Sequence, residues 1–389
     1  MGLIGLMGLI GPMRLLSLMG FMGLLGLGCS NEQPELELGE PIAMSVYVAR
    51  EVAASRANSE LIAEQGIPDG QSFGVYALYH SNTTWAEEYD HYLAMDPEYK
   101  GALNMLFVPN FMKNQKVTYD AVNDAYRYSP VKYWPNTPDD KLSFIAYYPY
   151  SDGTVSDVNR LGVASGWLNG MPYYHVTIKE TPAEQVDFLV SDLLTDCTKP
   201  SISDRVHLMF HHALSKITFR FVVQPNIRDD VAGLVVNSLG ITNIYNDAIL
   251  YIAYDPSTEE TTMNWSGHSG SHIQDYAFQP NEYQLLLPQT LSGEARLNVD
   301  YSLTLKSYDT AFTYDAFGNP VETSTYTYRR TASMLLNTLC AQATGTPITA
   351  WEPNHHYIYT FRIGANAISF TAEVVEWGAE GELEMLLEE

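Results

Sequence analysis

Apolar and aromatic residues alternate with others along Ile42-Ala43-Met44-Ser45-Val46-Tyr47-Val48, and Phe73 to Tyr79 and Leu142 to Tyr148 read as further strands. That period puts one set of side chains on a single face of a pleated strand, so a chain built from such segments folds as sheets. Turn residues separate the segments: Pro68-Asp69-Gly70, Pro135 to Asp140 and Ser151-Asp152-Gly153. Further strands are expected at Tyr173 to Ile178, Phe188 to Leu193 and Val206 to Phe210. A cleaner series follows at Ile217 to Val223, Leu234 to Ile244, Ile249 to Tyr254, Tyr283 to Leu287, Leu297 to Leu305, Tyr357 to Ile363 and Ile368 to Trp377. A hairpin is expected around Asp315 to Pro320. Between Trp85 and Tyr128 the pattern loosens, and only a short helix at Glu87 to Met95 is indicated. With 27 Tyr and only 17% charged residues, the composition suits half-buried pleated surfaces rather than solvated helices. An all-β chain follows, with a β-sandwich in each half rather than alternating βαβ units.

The chain is too long for one core, since single cores stop growing at about 250–300 residues. The polar stretch Cys197 to Asp204 marks the division, giving an N-terminal domain over 42–205 and a C-terminal domain over 206–389. On the face of Ile217 to Val223, the residues Ile217, Phe219 and Phe221 point into the second core. Glu380 to Glu389 is rich in Glu and has no basic residue, which reads as a solvated tail.

Residues 1–28 contain no acidic residue and a single basic one, Arg14, before an apolar stretch from Leu15 to Leu27. That stretch is about 13 residues, short of the roughly 20 that span hydrocarbon, and it reads as the apolar region of an export signal. Leu24-Leu25-Gly26-Leu27-Gly28-Cys29, with polar Ser30-Asn31-Glu32 after it, reads as a bacterial lipoprotein cleavage site. Cys29 is then the acylated mature N-terminus and residues 29–41 are a Pro- and Glu-containing tether. Met13, with Arg14 beside the apolar run, also reads as a natural start. Cys197 and Cys340 have no close partners in sequence; an extracytoplasmic location permits a disulfide between them without favouring it.

The chain carries 46 Asp and Glu against 21 Lys and Arg, a net charge of −25 that makes nucleic acid a poor partner. His207, His211 and His212 invite a metal reading, as do His355 and His356, but in a strand 207 and 211 face one side and 212 the other. No fourth ligand or supporting carboxylate is local to them, so neither a metal site nor a cofactor is expected. Gly267-His268-Ser269-Gly270-Ser271 lacks the second glycine of a nucleophile elbow and reads as a loop. Asp139-Asp140, Glu87-Glu88 and Asp229-Asp230 lie among turn residues and read as solvated carboxylates. No nucleophile, metal set or phosphate loop stands out, so an enzyme is not expected. Exposed rings such as Trp85, Trp134 or Trp265 would instead suit a surface glycan-binding lipoprotein that forms no polymer.

Several stretches in order along 42–377 resemble the fimbrillin family, the subunits and accessory proteins of type V pili. They are Ser55-Arg56-Ala57, Phe73-Gly74-Val75-Tyr76-Ala77, Tyr133-Trp134-Pro135, Leu142 to Pro149, Phe210-His211-His212-Ala213-Leu214-Ser215-Lys216-Ile217, Leu286-Leu287-Pro288-Gln289, Tyr357-Ile358-Tyr359 and Trp377. The resemblance implies two transthyretin-like β-sandwich domains in tandem. It also implies export as a lipidated precursor to the outer membrane and a place in a surface-exposed fimbrium, as a structural or an adhesive tip subunit. Its partners would be other pilus subunits, the outer membrane through the lipid anchor, and host or bacterial surface ligands. In stalk subunits of this kind an arginine-specific protease removes the leader-proximal strand, and a donor strand from the next subunit fills the groove. Arg56 matches the usual cleavage position, and Arg50 is a second candidate. The exchanging faces would be Ile42, Met44, Val46 and Val48 on the removed strand, and Ile368, Phe370, Ala372 and Val374 on the donor.

Overall fold

The structure, a computed structural model, describes residues 39–48, 67–97, 107–153, 164–179, 182–199, 205–269, 282–308, 314–319, 322–364 and 368–377. The leader, Cys29, Arg50, Arg56 and the segment 380–389 lie outside the described residues. The first half carries β1 (Met44–Val48), β2 (Ser72–His80), the helix α1 (Trp85–Ala94), β3 (Met112–Asp120), β4 (Ala125–Arg127) and β5 (Lys141–Tyr148). It continues with β6 (Gly166–Leu168), β7 (Met171–Thr177), β8 (Leu189–Ser191), β9 (Leu194–Cys197) and β10 (Val206–His212). The second half carries β11 (Ser215–Val223), β12 (Val231–Thr242), β13 (Asp247–Asp255), β14 (Glu260–Ser269), β15 (Tyr283–Leu286) and β16 (Gln289–Thr290). It ends with β17 (Arg296–Tyr308), β18 (Glu322–Leu335), β19 (Ala350–Trp351), β20 (His355–Ile363) and β21 (Ile368–Glu376). The protein is all-β, as its alternation implies.

A large sheet in the order β1-β10-β8-β5-β2-β3-β4, with β9 on β5, dominates the first half. Its two ends meet: β1 lies against β4, Pro41 bridges Tyr133, the Ile42 amide donates to the Lys132 carbonyl at 2.9 Å and the Trp134 amide donates to the Glu40 carbonyl at 2.9 Å. Inside this closure Phe73, Val75, Ala77, Phe144, Ala146, Leu208 and Phe210 form one core. On the other face Tyr76, Ile145, Tyr147 and Val190 pack against Tyr174, Val176, Leu250 and Ile252 of a second sheet. Strands β2 and β5 are therefore buried on both faces, which is why their sequences are almost continuously apolar rather than cleanly alternating. Trp85 and Trp134, which the glycan-binding alternative would need exposed, are 1% and 5% exposed, and Trp265 packs against the second core with its indole donating to the Ala213 carbonyl at 3.1 Å. Burying that much ring surface stabilises the protein more than a water-facing platform would, so these three rings do not supply one.

The second sheet has the order β14-β13-β7-β6, so the hairpin of β13 and β14 pairs with β7 from the other side of residue 205. The rest of the second half is a sandwich of β15-β11-β20-β21 on β12-β17-β18. Ile217, Phe219, Tyr357, Tyr359, Phe361, Leu239, Ile241, Leu297 and Val299 fill it. The β17–β18 hairpin turns through Asp315 to Asn319, where the Asp315 amide donates to the Asn319 carbonyl at 2.8 Å and Gly318 takes a positive φ of 83°. Residues 267–269, read from sequence as loop, end β14, and the His268 ring lies 2.7 Å from the Pro288 carbonyl oxygen. Edge-strand pairing with β13 holds this polar stretch extended without an apolar alternation of its own.

Cys197 is a buried free thiol whose pKa burial pushes up to about 12, and Cys340 is a half-buried free thiol. A thiolate is the reacting form. With Cys29 acylated or replaced by Ser, Ellman's reagent is expected to label Cys340 in the native protein and Cys197 only after denaturation. Equal labelling rates, or thiols that appear only after reduction, would contradict this.

Candidate functional site

Strand β1 is built by its alternation. Ile42, Met44 and Val46 are 2%, 2% and 7% exposed and enter the enclosed core, while Val48 packs against its rim. Each such side chain contributes about 1.5–3 kcal/mol when fully buried. On the opposite face the Ser45 hydroxyl lies 2.7 Å from His207 Nδ1 and the Tyr47 ring sits 5.6 Å from the His207 ring. The ladder partner of β1 is β10, in parallel register from Met44 opposite Val206 to Val48 opposite Phe210. The Tyr128 hydroxyl donates to the Ile42 carbonyl at 2.7 Å, pinning the entry of the strand. Withdrawing β1 would bare an apolar trench floored by Val206, Leu208 and Phe210, all fully buried, and leave the β10 backbone unpaired along it. Such a trench favours a replacement strand, because it lacks both side-chain filling and ladder partners.

Strand β21 is the edge of the second sandwich and pairs with β20, with Ile363 opposite Ile368, Phe361 opposite Phe370, Tyr359 opposite Ala372 and Tyr357 opposite Val374. Its apolar face is unevenly covered: Ala372 is buried and Ile368 packs on the core, but Phe370 and Val374 are 38% and 37% exposed. The Gln342 amide donates to the Ala372 carbonyl at 2.6 Å and covers one point of the outer edge. Beyond β21, Trp377 leaves its own sheet and enters the core of the first, stacking face to face on His212 at 3.8 Å and 4°. The Lys216 ammonium lies 5.6 Å from the same ring and the Trp377 amide donates to the Asn354 carbonyl at 2.9 Å. Sequence reading placed Trp377 at the end of a strand and among the residues of the family resemblance but did not reach this anchoring.

The histidines of β10 diverge. His207 meets Ser45, His211 Nε2 lies 2.9 Å from Asp192 Oδ2 and His212 Nδ1 lies 2.7 Å from Asp187 Oδ2. Alternation puts His212 on the face opposite His207 and His211, and four residues of extended strand separate those two, so each serves its own neighbour. The two sets of expected exchange residues are likewise apart, one on each edge strand, with β1 in the first half and β21 in the second.

A family model described as fimbrillin-like matches residues 55–377. A fimbrial protein from Bacteroides vulgatus is similar at 21% identity with a TM-score of 0.55, over 87% of this chain and 100% of that one. A fimbrilin from Porphyromonas gingivalis is similar at 10% identity with a TM-score of 0.39, over 88% of this chain and 98% of that one. No curated protein matches the chain.

Proposed function

The chain belongs to the fimbrillin-like family, and from that premise we propose that it is a structural or accessory subunit of a cell-surface pilus, assembled by exchange of its first strand. The observation that carries the reading is the state of β1: an edge strand whose Ile42, Met44 and Val46 fill a closed core from the rim. Supporting it, the matched region opens at Ser55, next to Arg56, and leaves β1 outside. In this proposal Cys29 is acylated and holds the precursor at the outer membrane, and cleavage after Arg56 or Arg50 frees β1. Another subunit's strand then takes its place, and β21, with Ile368, Phe370, Ala372 and Val374, is the donor. The subunit is two transthyretin-like domains divided near residue 205, with the β13–β14 hairpin reaching across to the first.

The test is to treat purified precursor with an arginine-specific protease and run unheated samples on a denaturing gel. Ladders of subunit multiples are expected, lost on heating, and abolished by Arg56→Ala combined with Arg50→Ala. Complete cleavage that yields monomer alone would overturn strand exchange.

A further inference from the structure

Helix α1 is packed onto the core between the two sheets through Trp85, and its outer face borders a cavity of about 300 Å³ lined by Thr83, Glu87, Glu88, His91, Tyr92, Met95 and Phe107. Thr84 caps the helix and exchanges hydrogen bonds with Glu87, fixing where the first turn begins. From there Glu88, Tyr92 and Met95 recur at helical spacing on one face, with Glu87 and His91 beside them. Phe107 closes the opposite wall: its ring lies 6.3 Å from Tyr92, inclined by 29°, and 5.5 Å from the buried Trp85 ring. Backing by Trp85 holds Phe107 in place.

The walls are of two kinds. Two rings and a thioether are apolar, while two carboxylates stand at the rim and side. Hydrogen bonds from the Thr84 amide and hydroxyl and from Thr83 hold the Glu87 carboxyl below its ordinary range, so it stays ionised. Glu88 Oε2 lies 2.8 Å from Nδ1 of the fully buried His80. Lys141 faces Glu87 from β5, and His91 adds a titratable ring at the rim. Around them the chain as a whole is strongly anionic, at −25. Rings attract cations over their faces, and carboxylates beside an apolar wall select a ligand with an apolar stem and a positive head. At this volume the cavity takes one side chain or a small amine rather than an oligosaccharide.

We propose that this cavity binds an alkylammonium group, its stem on Tyr92, Met95 and Phe107 and its ammonium between Glu87 and Glu88. The chemistry is that of a lysine side chain on a partner protein or of a free aliphatic amine. The test uses the full chain and saturation-transfer NMR with three probes: Nα-acetyl-lysine-N-methylamide, its norleucine counterpart, and 1,5-diaminopentane. The lysine derivative is expected to bind at least ten times more tightly than the norleucine one, which has the stem without the charge. Glu88→Gln and, separately, Glu87→Gln are each expected to weaken it about fivefold with an unchanged circular dichroism spectrum, and His91→Glu to strengthen it. Glu87→Gln keeps a side chain able to complete the capping box, so it reports on charge even if Glu88→Gln disturbs His80. Tighter binding of the lysine derivative than of the diamine identifies a protein side chain as the source, and the reverse order a free amine. Equal binding of the lysine and norleucine derivatives, or no saturation transfer from the folded protein to either amine, would overturn the proposal.

Discussion

Phe219→Asp is expected to unfold the second sandwich. The side chain is 1% exposed and its ring lies 5.4 Å from Tyr359 and 6.3 Å from Phe361, at the centre of the packing between the two sheets. Truncating a buried Phe to Ala costs about 3–5 kcal/mol. Aspartate adds a carboxylate that must either leave the core or be buried without a partner, at several kcal/mol more by order of magnitude. The total rivals the roughly 5–15 kcal/mol that holds a whole domain folded. Urea unfolding followed by near-ultraviolet circular dichroism checks it, with Tyr326→Asp as the control. Tyr326 is 57% exposed on β18, and its change is expected to stay within about 0.5 kcal/mol. A native near-ultraviolet spectrum and an unshifted midpoint for Phe219→Asp would refute the account of this core.

The second large effect is expected at Trp377. Its ring, 9% exposed, stacks on His212 inside a core made mostly by the other half of the chain, and it is the last described residue after β21. Trp377→Ala removes that burial at a cost of about 3–5 kcal/mol. Because β21 has ladder bonds to β20 and Phe370 and Val374 are half exposed, the strand depends on this terminal anchor more than an interior strand would. Native-state hydrogen exchange is therefore expected to show the amides of Ile368–Glu376 opening well before those of β20 in the variant, and together with them in the unsubstituted protein. Equal protection of β20 and β21 in Trp377→Ala would show that the ladder alone holds the strand. If the C-terminal strand is a donor, this anchor is what it must leave.

Where a strand buries an apolar face or an apolar run, its residues announced it. Ile42 to Val48, Ile217 to Val223 and Tyr357 to Ile363 all lie within a residue or two of the observed elements, and Ile217, Phe219 and Phe221 do face one core. The helix expected at Glu87 to Met95 starts two residues earlier, at Trp85, because Thr84 is the cap. Strand β3 was illegible for a definite reason. Its two buried residues, Met112 and Val117, are an odd number apart and face the same core only because the ladder shifts between Val75 and Ala77, with Asn114 at a φ of 59°. A bulge of this kind breaks the period of two that sequence reading relies on. Strand β18 failed differently: residues 324–330 are exposed on both faces, so pairing with β17, not burial, keeps them extended.

By itself, then, the sequence determined the all-β class, most of the strands and the inward faces of β1 and β11, since period and turn chemistry are local properties of the chain. Partners were not local. That β1 pairs in parallel with β10, that the β13–β14 hairpin crosses to β7, that Trp85 and Trp134 are buried and Trp265 packs partly buried against a core, and that Trp377 spans from its own sheet to the other core were decided by tertiary structure. An apolar residue carries its demand for burial wherever it stands, but which surface meets that demand depends on contacts between residues far apart in sequence, 162 positions for Met44 and Val206 and 70 for Thr177 and Asp247.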